Sequence, residues 1–222
     1  MLQAIADSLA ENGLAAIGPV PARDEDRLPQ PAPGRPARSI LLAANAGSAF
    51  WSRFTASREY ADGGPDPLNR WSFRVVGEVA GAHGLKAVSP FEGPPFWPFQ
   101  RWAMRAGGFS QSPLGVLAHA RYGPWIAFRG ALLSPDPCPE PPPAPGPCEN
   151  CTGKPCLDAC PADALSRGHS YDPGACRAHV AHDGWETCGA RGCLVRHACP
   201  AGRDFAYAPG QARFHMTAFI GR

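Results

Sequence analysis

The chain carries nine cysteines in 222 residues, none before Cys138, and eight of them fall between Cys148 and Cys199. Thiolates are soft anionic ligands that hold zinc or iron–sulfur clusters, and paired thiols can close disulfides. The first four read Cys148-x2-Cys151-x4-Cys156-x3-Cys160, followed by Pro161; the second four are Cys176, Cys188, Cys193 and Cys199, followed by Pro200. Short spacings let several thiolates converge from one loop, and proline after the last of them turns the chain away. An odd count and the absence of a secretory signal argue against a disulfide framework. Zinc commonly takes paired C-x2-C knuckles, and only Cys148–Cys151 forms such a pair.

The first run is similar to the bacterial ferredoxin run C-x2-C-x2-C-x3-C-P, in which three thiolates hold one cluster and the fourth reaches a second. Here the middle spacing is four residues instead of two. The ferredoxin crossover assigns Cys148, Cys151, Cys156 and Cys199 to one [4Fe–4S] cluster. It assigns Cys176, Cys188, Cys193 and Cys160 to a second. His179, His182 and His197 lie among these cysteines. Histidine does ligate iron in Rieske centres, but eight thiolates already complete two sets of four, so the histidines are placed outside the ligands. Cys138 is read as an incidental free thiol.

The elements ahead of the cysteines predict a layered domain. Leu2, Ile5, Ala6 and Leu9 recur at helical spacing up to a stop at Gly13, and short buried strands are expected over 13–18 and 39–44. Asp66-Pro67 reads as a cap and first helical residue, with Leu68, Trp71, Val75 and Val79 on one face and Gly84 as the end. A strand over 85–88 and a helix around Phe99, Trp102, Ala103 and Ala106 follow. Strands over 115–119 and 125–128 are expected to be joined by the turn at Tyr122-Gly123-Pro124. Eight of the thirteen residues from Pro135 to Pro147 are proline, which favours a stiff extended spacer. The expected organisation is therefore α+β: an α/β layered domain over 1–134, a linker over 135–147, and a ferredoxin-like module with two [4Fe–4S] clusters over 148–222.

A formal net charge of +2 gives no strong attraction to nucleic acid or to a membrane surface. No apolar run reaches the roughly 20 residues that span a bilayer. The acidic start MLQAIADSLAENG is not a secretory signal, and a cytoplasmic location is expected. No Ser/His/Asp arrangement or phosphate-cradling glycine loop stands at a usable spacing.

Arg105-Ala-Gly107, Tyr122-Gly-Pro-Trp125-Ile-Ala-Phe128, Leu132-Leu133, the proline spacer and the run from Cys148 to Pro161 resemble the epoxyqueuosine reductases. Ala175-Cys176-Arg177, Gly192-Cys193 and Cys199-Pro200 are similar to later segments of that family. His119-Ala-Arg121-Tyr122-Gly-Pro-Trp125-Ile-Ala-Phe128-Arg129-Gly130 is similar to a stretch of CblC-type cobalamin-processing proteins. Both resemblances imply a corrinoid held by the N-terminal domain, with the clusters delivering electrons to it. They imply cofactor-binding roles for His119, Arg121, Tyr122 and Trp125, with His119 near the cobalt or lining its pocket. Each of these roles stands beside a plainer one, a strand histidine, core aromatics and exposed arginine.

The departures from the reductase pattern also matter. The family's catalytic aspartate has no counterpart near Glu92-Gly93-Pro94, and Gly108-Phe-Ser-Gln-Ser112 replaces the segment after its R-A-G. Without these, and without a basic surface, reduction of a tRNA base is not expected. The expected function is iron–sulfur electron transfer, with cobalamin as acceptor, an unidentified protein as donor, and reduction or reductive dealkylation of the corrinoid as the possible enzymatic outcome. The alternatives are a plain ferredoxin-type carrier whose N-terminal domain docks partners, and a cobalamin-binding chaperone with structural clusters.

Overall fold

The computed structural model describes residues 2–222. In chain order the elements are α1 (Leu2–Glu11), β1 (Leu14–Pro21), β2 (Ser39–Ala46), α2 (Trp51–Thr55), α3 (Arg58–Ala61), α4 (Pro67–Ala82) and β3 (Lys86–Val88). Then come α5 (Phe99–Ala106), β4 (Phe109–Gln111), β5 (Leu117–His119), β6 (Ile126–Ser134), α6 (Pro173–Ala181), α7 (Leu194–Ala198) and α8 (Pro209–Ile220). The fold is mixed α+β. Among the described residues, no helix is long and apolar enough to cross a membrane.

Two compact units share these elements, Met1–Gly107 with Ala127–Ala144, and Gly108–Ile126 with Pro145–Arg222. The boundary therefore differs from the one drawn at the proline spacer, because residues 108–126 leave the first unit and join the cysteine-bearing one.

The first unit is built on a sheet of order β1-β2-β6-β3. β1 and β2 are antiparallel, with Leu14 opposite Asn45 and Val20 opposite Ile40, and a bulge between Ile17 and Val20. Every residue of β2 is buried, which is why it reads as a continuous apolar run rather than an alternating one. β3 and β6 are antiparallel, pairing Val88 with Ala131 and Lys86 with Leu133. Ile5 and Leu9 of α1 and Trp71, Val75, Val76 and Val79 of α4 are buried. Phe50, Phe54 and Trp71 form an aromatic cluster, with Phe50 and Trp71 centroids 5.6 Å apart and Phe54 and Trp71 5.9 Å apart.

Three sequence expectations change. α4 begins at Pro67, but Asp66 sits in the left-handed region (φ 47) with no side-chain cap bond, so its carboxylate does not serve the helix. Strands β5 and β6 do not form a hairpin. β5 pairs with β4, while β6 runs on through the fully buried Ala131-Leu132-Leu133 into the large sheet. The turn between them closes on itself, His119 and Gly123 exchanging both backbone hydrogen bonds at 2.9 and 2.7 Å. The first part of the proline segment is held along the first unit rather than spanning free: the Ser39 hydroxyl donates to the Asp136 carbonyl at 2.8 Å, and Arg23 reaches Glu140 at 3.4 Å.

Glu59 of α3 is 4% exposed and is gripped by Arg74 of α4 through two bonds of 2.6 and 3.0 Å. Those bonds, outweighing the desolvation that opposes them, hold its carboxyl down at about 2, against an ordinary value of 4.5. A depressed carboxyl stabilises the fold fully above its unfolded value, and that contribution is lost as pH falls from about 4.5 toward 2. Glu59→Gln is expected to lower stability by about 3 kcal/mol at neutral pH and to flatten the pH dependence of unfolding across that acid window. Urea denaturation at pH 7 and pH 3 measures both effects.

Candidate metal centre

All eight cysteines from Cys148 to Cys199 lie in the second unit; Cys138 lies in the first. None is in a disulfide. Irregular chain carries most of them. Cys156 sits in a 3-10 turn at Pro155–Asp158, Cys188 in a single π turn at Trp185–Gly189, and Cys176 on α6. Cys193 and Cys199 flank the short helix α7. Loops and single turns, rather than long helices, carry these thiols.

The thiols gather as two sets. Cys148, half-buried, is pushed up by burial and then by the neighbouring charges of Cys199, Cys156 and Cys151. Cys156 is pushed up by burial and by Cys199 and Cys151. Cys199 is raised by burial and feels Cys151. These four line one cavity, walled by Pro147, Pro155 and Pro200 and almost wholly apolar. In the other set, Cys176 is pushed up by burial, then by Cys160 and Cys188, and Cys193 by burial and Cys188. The Tyr171 hydroxyl, itself raised by burial, reaches Cys176 and stands near Cys193 and Cys160. The backbone N–H of Ala164 donates to the Cys160 sulfur at 3.3 Å.

One apolar cluster joins the two sets. Cys156 packs with Leu165 and Val195, and Cys160, Cys193, Leu157, Leu114 and Tyr171 close around them. Clustered thiols with raised pKa values are protonated at neutral pH, so loading a metal here must release protons, and binding strengthens as pH rises. The donor set is all sulfur, which suits soft metals and iron–sulfur clusters. Among the described residues no three Cys, His, Asp or Glu side chains stand close enough to share a single ion. One tetrahedral zinc needs its thiolates about 3.8 Å apart, given a Zn–S bond of about 2.3 Å. A four-iron cluster gives each thiolate its own iron and takes a wider set.

The hairpin of β4 and β5 forms part of the first site. Ser112, Leu114 and Ala118 line its cavity. The buried Ser110 hydroxyl accepts the Cys148 N–H at 3.1 Å. A Cβ at Gly146 would strike Ser110 and Phe109, so the chain entering Cys148 runs tight along β4. The turn at Gly123 approaches the Ala201 carbonyl with the same closeness, two residues beyond Cys199. Ser110 and Tyr171 were not singled out by residue pattern; an isolated serine on a short strand carries no signal in a single sequence.

His119, Arg121, Tyr122 and Trp125 all fall in the second unit, whereas the resemblances imply sites in the N-terminal domain. His119 is stacked on Tyr122 with centroids 4.9 Å apart and lies 4.7 Å from Phe109. Its Nδ1 accepts from the backbone N–H groups of Arg121 at 3.2 Å and Tyr122 at 3.4 Å. That leaves Nε2 as the protonated nitrogen, and burial followed by the nearby Arg121 charge holds the ring's pKa below its usual value. Arg121 is exposed and lies over the Tyr122 ring at 5.3 Å. Trp125 is 2% exposed and packs with Tyr207 and Ala212, so its faces are spent on the unit's own core. Cys138 lines a separate cavity of about 470 Å³ in the first unit, with Ser39, Asp136 and Leu132.

No protein-family model matches the chain, and no curated protein matches it.

Proposed function

We propose that the protein is an iron–sulfur electron-transfer protein with two [4Fe–4S] clusters in its second unit, a bacterial-ferredoxin-like module. One observation carries the reading: Cys148, Cys151, Cys156 and Cys199 line one apolar cavity, so the first run is joined there by a thiol of the second, while Tyr171 stands near Cys160, Cys176 and Cys193. The two sets we propose are these first four, and Cys160 with Cys176, Cys188 and Cys193. A [4Fe–4S] cluster bound at each site supplies one-electron exchange at a potential set by hydrogen bonds to its sulfurs and by exposure. The chain's own part is to hold the thiolates, exclude water and donate hydrogen bonds to sulfur. Leu165 and Val195, 3% and 5% exposed, keep the space between the sets dry. Because that same apolar cluster touches Cys156 of one set and Cys160 and Cys193 of the other, electrons have a short route between them.

The acceptor we propose is a corrinoid, on the resemblance of His119 to Gly130 and of the reductase-like segments. A cytoplasmic location goes with it. The buried Trp125 and the backbone-occupied Nδ1 of His119 favour a second reading, a plain electron carrier that docks a partner. Titrating the anaerobically reconstituted, reduced protein with cobalamin separates them. The corrinoid reading expects saturable binding and a change in the cobalamin spectrum that depends on cluster reduction. No binding and no change leaves the carrier; binding indifferent to cluster reduction points to a chaperone.

A further inference from the structure

We propose that Arg167 is a positioning residue for the first thiol set: its guanidinium clasps the widened turn between Cys151 and Cys156, so that these two thiols stay placed to hold a cluster. The inference rests on the cluster reading above. The turn Thr152-Gly153-Lys154-Pro155 is two residues longer than its counterpart in the ferredoxin run. Extra chain between two ligands loses conformational freedom when it is ordered, which opposes holding them in place. The turn is also strained, because Lys154 sits in the left-handed region (φ 39, ψ 57) directly ahead of Pro155. A lysine persists there only where its neighbours hold it.

Arg167 supplies that hold. Its Nη2 donates to the Gly153 carbonyl at 2.7 Å, the peptide oxygen immediately before Lys154. The same Nη2 and the Nε form a fork onto the Asp158 carboxylate at 2.6 and 2.8 Å. Gly153 lies three residues before Cys156 and Asp158 two after it, so one guanidinium ties both flanks of that cysteine together. The clasp has a firm base: Ala164 and Leu165 are 0% and 3% exposed, and Leu165 packs on Cys156. Exposed ion pairs contribute little as a rule, but a bidentate pair with a third bond to the backbone is the geometry that holds. Cys160, beyond the clasp, has its own tie in the Ala164 N–H. Loosening the clasp should therefore be felt at the first set and not the second.

The test follows iron release from anaerobically reconstituted full-length protein to a ferrous chelator, with electron paramagnetic resonance of reduced samples taken along the way. Arg167→Ala is expected to load about eight irons and to release about four of them about fivefold faster than wild type. The signal that fades should be the one missing from Cys148→Ser. Arg167→Lys should release iron as fast as Arg167→Ala, since an ammonium is a point charge without the planar fork. Asp158→Ala should speed the same site, and adding it to Arg167→Ala should change nothing further. Wild-type release from Arg167→Ala or from Arg167→Lys, or equal acceleration at both sites, would overturn the proposal. If Arg167→Ala loads incompletely, uptake that stops at about four irons with the Cys148→Ser signal missing supports the clasp, and loss shared by both signals overturns it. Wild-type protein that takes up no iron and sulfide fails the cluster reading itself, which is a separate outcome.

Discussion

Replacing Cys148 and Cys199 together by serine is expected to remove no more iron than replacing either one alone. Each single variant should fall from about eight irons to about four, because one four-iron site loses a ligand. The double variant should stay near four, since both residues belong to one set. Cys199→Ser combined with Cys193→Ser should instead empty both sites, although these two cysteines are neighbours in the chain. Consecutive grouping, with Cys148 to Cys160 in one site and Cys176 to Cys199 in the other, predicts the opposite pattern. The effect is all-or-none at each site, which makes it the largest expected from any substitution here. Cys138→Ser should leave the iron content unchanged, as Cys138 lies in the other unit. Iron and sulfide content of the five variants after anaerobic reconstitution decides between the groupings.

Gly123→Val is expected to break the second unit while sparing the first. Gly123 has φ 56, where a β-branched residue is strained, and any Cβ would collide with the Ala201 carbonyl. The turn must then part from the Pro200–Gly202 segment or lose its paired bonds to His119. Either change shifts the loop that presents Cys199. We expect a loss of about 3 kcal/mol or more in the second unit, with the Cys199 site losing iron before the other. Amide exchange followed residue by residue should show faster opening across 108–126 and 199–207, with the strands of the first unit unaffected. Wild-type exchange and full iron in Gly123→Val would contradict the role given to this contact.

Some of this was legible in the sequence for physical reasons. Helical spacing of Ile5 and Leu9, and of Trp71, Val75 and Val79, marks faces that are buried in the structure. The apolar run of β2 reads as a strand with both faces covered. The crossed grouping of the thiols comes from the ferredoxin crossover in the sequence and stands as the proposal above. What could not be read depended on long-range packing. The proline spacer looks like the division between units, yet residues 108–126 are captured by contacts that reach Cys148, Ala201 and Tyr207. The short helix α2 is held by Phe54 packing with Phe50 and Trp71, and α3 by Tyr60 against Phe54 and Glu59 against Arg74. Five or four residues carry too little periodicity to announce a helix. Asp66 has the composition of a cap, but only its backbone dihedral shows that it does not act as one.

The alternative chemistries differ in what the second unit holds after anaerobic purification. The most direct measurement is the content of iron, acid-labile sulfide and zinc per chain. Two crossed four-thiol sites predict about eight irons and about eight sulfides, with little zinc. Tightly bound zinc without labile sulfide would contradict the account.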